Sequence, residues 1–252
     1  MANDQLEVAE VKAETADDDG HVGELIASFQ SFFASSTFSD LTIVTKDQEF
    51  KVHKLIVCSQ SGFFARLFKQ NWKEAEENVV RLNEDDPRAV EAMVHFMYGF
   101  NYNNSGSEHG RVSPMLLNVK VYQVADKYDI PKLKAQAKEN FTVAINKCWE
   151  MDDFPTAIED AYSTTTSADR GLRDPLVSLS LEHIDILLDN EDFKQALRNT
   201  LGFAADLVQR NAKGKLYLCP CCTNEFYVGA SSSFRYCPLC SLESTDWEKH
   251  AK

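Results

Sequence analysis

The chain has 252 residues, 44% of them hydrophobic and 11% aromatic, with a formal net charge of −13. That apolar share is enough for a sizeable core and sets aside a disordered chain. The acidic balance argues against tight electrostatic capture of phosphate backbones or anionic lipid.

Residues 1–20 carry seven acids, Asp4, Glu7, Glu10, Glu14, Asp17, Asp18 and Asp19, against Lys12 alone. Such a stretch repels itself and has little apolar surface to bury, so residues 1–21 are expected to be a disordered acidic tail. It has no basic start and no apolar signal core, and no run approaches the ~20 apolar residues of a membrane span. The expected location is the cytoplasm, the nucleus or both, with no membrane partner. Seven cysteines in that setting are expected to be reduced or metal-bound rather than paired as disulfides.

From residue 22, Val22, Leu25, Ile26, Phe29 and Phe33 recur at helical spacing and predict an amphipathic helix. Leu41, Ile43 and Thr45 alternate with Thr42 and Val44 as in a strand, and Lys46–Glu49 is a polar turn. A second strand leads to Leu55-Ile56-Val57-Cys58, which reads equally as buried strand or helix start. Ser59 to Phe68 reads as a turn and short helix, and Val79–Leu82 as a third strand. Asp86-Pro87 and Ser113-Pro114 are helix starts, an N-cap side chain followed by a proline suited to the first helical position. Beyond Trp149 the pattern is wholly helical. Phe154 to Tyr162 predicts a short helix. Another starts at Asp174-Pro175 and bears Val177, Leu181, Ile184 and Leu188. In the next, Phe193, Leu197, Leu201, Ala204 and Val208 form one stripe. Cys58 and Cys148 read as small buried hydrophobes.

The run Phe38-Ser39-Asp40-Leu41-Thr42-Ile43-Val44, then Phe50-Lys51-Val52-His53-Lys54-Leu55-Ile56-Val57, resembles the opening of a BTB/POZ domain. The resemblance implies an α+β fold in which helices surround a small mixed sheet, spanning residues 22–146. An all-helical extension (147–212), a zinc-ribbon-like segment (213–245) and a short tail (246–252) are expected to follow. Lys120 to Tyr128, Asp153-Phe154-Pro155, Asp169-Arg170-Gly171-Leu172-Arg173-Asp174 and Phe203 to Leu207 resemble segments of uncharacterised fungal BTB-domain proteins.

The family implies protein interaction without chemistry of its own. On the resemblance, Asp40 and Lys54 sit near a dimer-interface groove and form a charge pair, unless Asp40 merely caps a turn. His53 is hydrogen-bonded packing, and the helix from residue 22 contributes to a homodimer unless its apolar stripe packs within one chain. Asn71-Trp72-Lys73-Glu74-Ala75 stands where some members carry a cullin-binding motif, with Trp72 as apolar anchor and Glu74 as its charge; the bland alternative leaves Trp72 packed on its own domain. The expected function is a self-associating, non-enzymatic scaffold, in its sharper form a substrate adaptor for a cullin-based ubiquitin ligase.

Cys219-Pro220-Cys221-Cys222 and Cys237-Pro238-Leu239-Cys240 form two C-x-x-C knuckles if Cys219 and Cys222 are the first pair, with fourteen residues between. Four thiolates at that spacing suit one structural Zn²⁺, with no position left for a reacting water. Iron fits the same donor set, and Cys221 could replace a neighbour as ligand. A nucleic-acid-binding regulator using this ribbon is the competing function. Residues 211–252 hold five Lys or Arg against four Asp or Glu, so they present no basic footprint.

Overall fold

A computed structural model describes residues 18–70, 73–102, 113–213, 215–228, 236–244 and 246–251. The expected disordered tail therefore lies almost entirely outside the described residues. The chain divides into two compact units, residues 1–105 and 106–252. The division falls after Ser105, inside the span expected for one domain. No helix among the described residues is long and apolar enough to cross a membrane.

In the first unit, α1 (Asp18–Ser35) precedes the hairpin of β1 (Leu41–Val44) and β2 (Glu49–Val52). Thr45 makes the turn: its Oγ1 donates to the Gln48 carbonyl at 3.1 Å and accepts from the Asp47 and Gln48 amides. The strands pair antiparallel, Leu41 opposite Val52 and Ile43 opposite Phe50. These four side chains are buried on one face, as period-two alternation requires. β3 (Val79–Arg81) pairs parallel with β1, giving the order β2-β1-β3.

The ambiguous run after His53 is a helix, α2 (Lys54–Gln60), because the Asp40 carboxylate accepts from the Lys54 amide at 2.7 Å and caps its first turn. Ser61 caps α3 (Gly62–Leu67) through the Phe64 amide, and α4 (Lys73–Glu77) leads to β3. Asp86 caps α5 (Pro87–Met97) through the Arg88 and Ala89 amides, and Val90, Met93, Val94 and Met97 are its buried stripe. Cys58 and Cys148 are half-buried rather than buried; desolvation still raises the Cys58 thiol pKa, outweighing the nearby Lys54.

The second unit opens with the hairpin of α6 (Pro114–Lys127) and α7 (Pro131–Cys148), against which α8 (Asp153–Thr164) packs. Four further helices follow: α9 (Arg173–Glu182), α10 (Ile184–Leu187), α11 (Glu191–Asn199) and α12 (Leu201–Lys213). Phe154, Phe193, Phe203 and Tyr162 form a chain of ring contacts at 5.5–6.5 Å that ties α8, α11 and α12 together.

Two expected stripes are broken. The helix from Asp174 stops at His183 (φ −114°, ψ 21°), so Leu187 turns inward while Leu188 is exposed. The stripe from Phe193 to Val208 is interrupted at Thr200, whose amide closes α11 on the Ala196 carbonyl. The helix phase restarts there. Phe203 and Leu207 become core, and Leu201 and Val208 stand 77% and 69% exposed.

The Asp169–Asp174 signature is a staple within this unit. Asp169 accepts from the Tyr122 hydroxyl at 2.6 Å, from Lys134 at 2.7 Å and from the Gly171 amide at 3.0 Å. Arg170 bridges Asp174 and Asp206, and Arg173 donates to Thr165 and to the Tyr162 carbonyl. A Cβ on Gly171 would stand 2.1 Å from the Tyr122 hydroxyl oxygen, so only glycine permits this closeness.

Candidate metal centre and interaction surface

The C-terminal ribbon pairs β4 (Lys215–Leu218) antiparallel with β5 (Glu225–Val228). Its two knuckles repeat one geometry. The Thr223 amide bonds the Cys219 carbonyl and the Cys219 amide the Asn224 carbonyl; the Ser241 amide bonds the Cys237 carbonyl and the Cys237 amide the Leu242 carbonyl. Thr223 (φ 54°) and Ser241 (φ 58°) are both left-handed, which turns the chain back after each second cysteine so that Asn224 and Leu242 meet the first cysteine of their knuckle.

The four expected sulfurs, of Cys219, Cys222, Cys237 and Cys240, converge within 4.8 Å of one another. Across the knuckles Cys219 Sγ lies 3.6 Å from Cys240 Sγ, and Cys222 Sγ 3.8 Å from Cys237 Sγ. A tetrahedral ion at ~2.3 Å from each thiolate sets sulfur–sulfur edges of about 3.8 Å, whereas a disulfide needs ~2.05 Å. The donor set fits a closed four-coordinate metal. Cys221 is exposed and outside the cluster.

Burial opposes ionisation of Cys219, but the Cys222 and Cys221 amides and neighbouring thiols outweigh it and bring its pKa down to about 6. The Leu242 amide favours the Cys240 thiolate, yet desolvation and the other three thiols push that pKa up to about 12. Opposed shifts on neighbouring thiols reflect crowding of donors, which a cation at their centre would relieve. Tyr217, Phe226 and Trp247 back the cluster, Trp247 meeting Phe226 edge-on at 5.5 Å. Ala251 bridges to Tyr217, so the stretch expected to be a tail after residue 245 completes the ribbon.

In the first unit, α1 has two apolar faces where one stripe was expected. Gln30 and Phe33 face α5 and the turn beyond it, and Ile26, itself 38% exposed, lies against Gly99. Phe33 lies 4.6 Å from the Tyr98 ring, and Gln30 donates to the Gly99 carbonyl. Val22, Leu25 and Phe32, three and seven residues apart, are exposed to solvent. Phe38, 80% exposed with φ 63°, brings its ring 5.8 Å from Phe32.

Asp40 and Lys54 meet, though not as an ion pair. The carboxylate takes the Lys54 amide, while the ammonium donates to Asn78 and lies 4.9 Å over the Phe68 ring. The capping alternative holds because a first-turn amide sits closer to Asp40 than the long side chain does. His53 is fully engaged. Its Nε2 donates to the Thr37 carbonyl at 2.8 Å, so Nδ1 accepts from the Tyr98 hydroxyl at 2.6 Å. Burial pushes Tyr98 up to about 12, the His53 amide working against it and Asp40 with it. This arrangement holds the end of α1 against β2 and α5. Trp72 lies outside the described residues; Glu74 is half-buried in the first turn of α4.

A three-stranded sheet with one parallel and one antiparallel pair, and helices between its strands, agrees with the family comparison: the BTB/POZ domain model matches residues 29–144. The chain carries a BTB/POZ domain. It is 27% identical over 117 residues to human Kelch repeat and BTB domain-containing protein 4, covering 45% of this chain and 20% of that protein. It is 36% identical over 76 residues to Kelch repeat and BTB domain-containing protein A55 of vaccinia virus, 30% of this chain and 14% of that one. The chain thus spans about a fifth or less of these curated relatives. Among solved structures it is similar to the BTB domain of zebrafish PATZ1, at 13% identity and TM-score 0.39, with 50% of this chain and 96% of that one covered. The BTB domain of human Gigaxonin aligns at 19% identity and TM-score 0.37, with 51% and 98% covered. BTB/POZ domains are protein-interaction modules.

Proposed function

We propose that this protein is a non-enzymatic adaptor that self-associates through its BTB/POZ domain and carries one structural zinc ion in its C-terminal ribbon. The observation that carries self-association is the outward face of α1. Val22, Leu25 and Phe32 leave apolar surface in water beside Phe38, and each such side chain gains about 1.5–3 kcal/mol when fully covered. Phe38 adds a second argument, since a bulky residue held at positive φ and exposed is more economically explained by a contact than by packing. Zinc is favoured over iron because it is the usual occupant of a closed tetrahedral thiolate site.

The sharper reading makes the adaptor part of a cullin-based ubiquitin ligase, with Trp72 and Glu74 as contact residues. It rests on the Asn71–Ala75 motif. The test is light scattering of the purified protein with a cullin pull-down, comparing wild type with Leu25→Glu/Phe32→Glu and with Trp72→Ala/Glu74→Ala. A dimer lost in the first variant and cullin capture lost in the second, with helicity unchanged, support both parts. A wild-type monomer refutes self-association, and wild type that captures no cullin refutes the ligase role.

A further inference from the structure

We infer that a cleft formed by α8, α9 and the start of α12 binds the terminal carboxylate of a partner polypeptide. The cleft measures about 400 Å³ and is lined by Glu159, Tyr162, Ser163, Arg173, Asn199 and the stretch from Thr200 to Gly202. Arg173 is only 7% exposed and has no carboxylate within ion-pair distance among the described residues. Its Nε and Nη2 serve the Thr165 side chain and the Tyr162 and Thr165 carbonyls, and its guanidinium lies 4.3 Å over the Tyr162 ring. Nη1 makes no hydrogen bond among the described residues, and what remains exposed of the side chain opens on the cleft. The guanidinium thus meets the cleft with one donor to spare and has no anion beside it.

The start of α12 supplies the complement. Its first amides, of Leu201 and Gly202, have no partner among the described residues, as expected at a helix N-terminus, where partial positive charge gathers. A Cβ on Gly202 would lie 3.3 Å from the Tyr162 ring, so glycine lets this helix end approach the cleft floor. Charge selects a monoanion. Glu159 lies on the rim, its Oε1 accepting from Asn199 at 2.8 Å, and the chain is acidic overall, so a phosphate dianion is opposed where a carboxylate is tolerated. Exposed Leu201 offers an apolar contact beside the anion position for the last side chain of the partner. This proposal rests on the adaptor reading, supplying the surface that recognises a partner, but its test involves no cullin.

The minimal probe is N-acetyl-leucine, with N-acetyl-leucinamide and sodium phosphate as controls, titrated into the ¹⁵N-labelled full chain. The acid should shift the Leu201 and Gly202 amides saturably with a Kd of about 1–5 mM, and the amide should bind at least ~10-fold more weakly. Arg173 also caps the end of α8, so its removal risks unfolding; Leu201→Pro instead deletes one amide at a position where proline is tolerated. That variant should lose most of the acid-over-amide preference with helicity unchanged, and Leu201→Ala, which keeps the amide, should retain it. Acid and amide binding alike, or neither binding, overturns the proposal. Phosphate moving the same signals at lower concentration than the acid replaces it with a phosphate site. Loss of cullin capture would leave the proposal untouched and bear only on the ligase reading.

Discussion

Replacing Gly171 by alanine tests whether the Asp169–Asp174 loop is held by the Tyr122 hydroxyl. The backbone at Gly171 is not in the left-handed region, so alanine brings no torsional strain. Its methyl would stand 2.1 Å from Tyr122 Oη and 3.2 Å from Asp169 Oδ1. Either the ring or the loop must move, breaking the 2.6 Å bond to Asp169. A hydrogen bond to a charged group contributes about 1.5–3 kcal/mol, and forced overpacking costs about 1–3 kcal/mol. Gly171→Ala should therefore destabilise by about 3–5 kcal/mol in urea titrations followed by circular dichroism. Tyr122→Phe removes the same bond without the clash and should cost about 1.5–3 kcal/mol. Since both changes remove one interaction, the double variant should fall short of the sum by at least ~1.5 kcal/mol. Additivity within ~0.5 kcal/mol, or a neutral Gly171→Ala, would refute the staple.

The same cluster carries a pH signature. Burial works to raise the Asp169 carboxyl, but Lys134, Tyr122 and the Gly171 amide outweigh it and hold it below the usual carboxylate range. A depressed folded pKa gives stability that is present above the unfolded value of ~3.9 and lost as pH falls through the folded one. Asp169→Asn should flatten that part of an acid titration of stability. Cys237→Ser, or a strong chelator, should release about one metal per chain by elemental analysis and shift Trp247 emission to the red, leaving far-UV helicity nearly unchanged. Gly99→Ala meets both a left-handed φ of 75° and Ile26 at 2.9 Å, so it should lower stability by about 1–3 kcal/mol and speed hydrogen exchange in α1. Asp86→Ala removes the cap of α5 and should cost ~1 kcal/mol in thermal melts.

Local chemistry was legible wherever one or two residues dictate it. Asp86-Pro87 starts a helix with the expected cap, Ser113-Pro114 starts one without a side-chain cap, the alternation around Ile43 is a strand, and the two C-x-x-C knuckles bring four sulfurs together. Features decided at a distance were not. The run after His53 reads as strand or helix until the Asp40 carboxylate, fourteen positions earlier, is seen to cap it. The breaks at His183 and Thr200 carry no proline or glycine at the break itself, so the apolar period runs on through them in the sequence. Trp247 stands alone in a polar stretch, with nothing local to say that it packs on Phe226. Arg173 was visible as part of a signature. That it shares a cleft with the start of α12 depends on the break at Thr200, which no local signal marks.

The parallel pairing of β1 with β3 has a kinetic consequence. The β1–β2 hairpin closes over a four-residue turn, an event of about 1–10 μs, whereas pairing Thr42 with Val79 closes a far longer and slower loop that contains β2, α2, α3 and α4. During that interval the far edge of β1, including the Thr42 amide that ends on the Asn78 carbonyl, is open to any extended chain. A chain truncated or stalled before Val79 keeps that edge indefinitely. Aggregation of such fragments should therefore fall sharply once translation has passed Leu82, whose amide closes the pairing on the Val44 carbonyl.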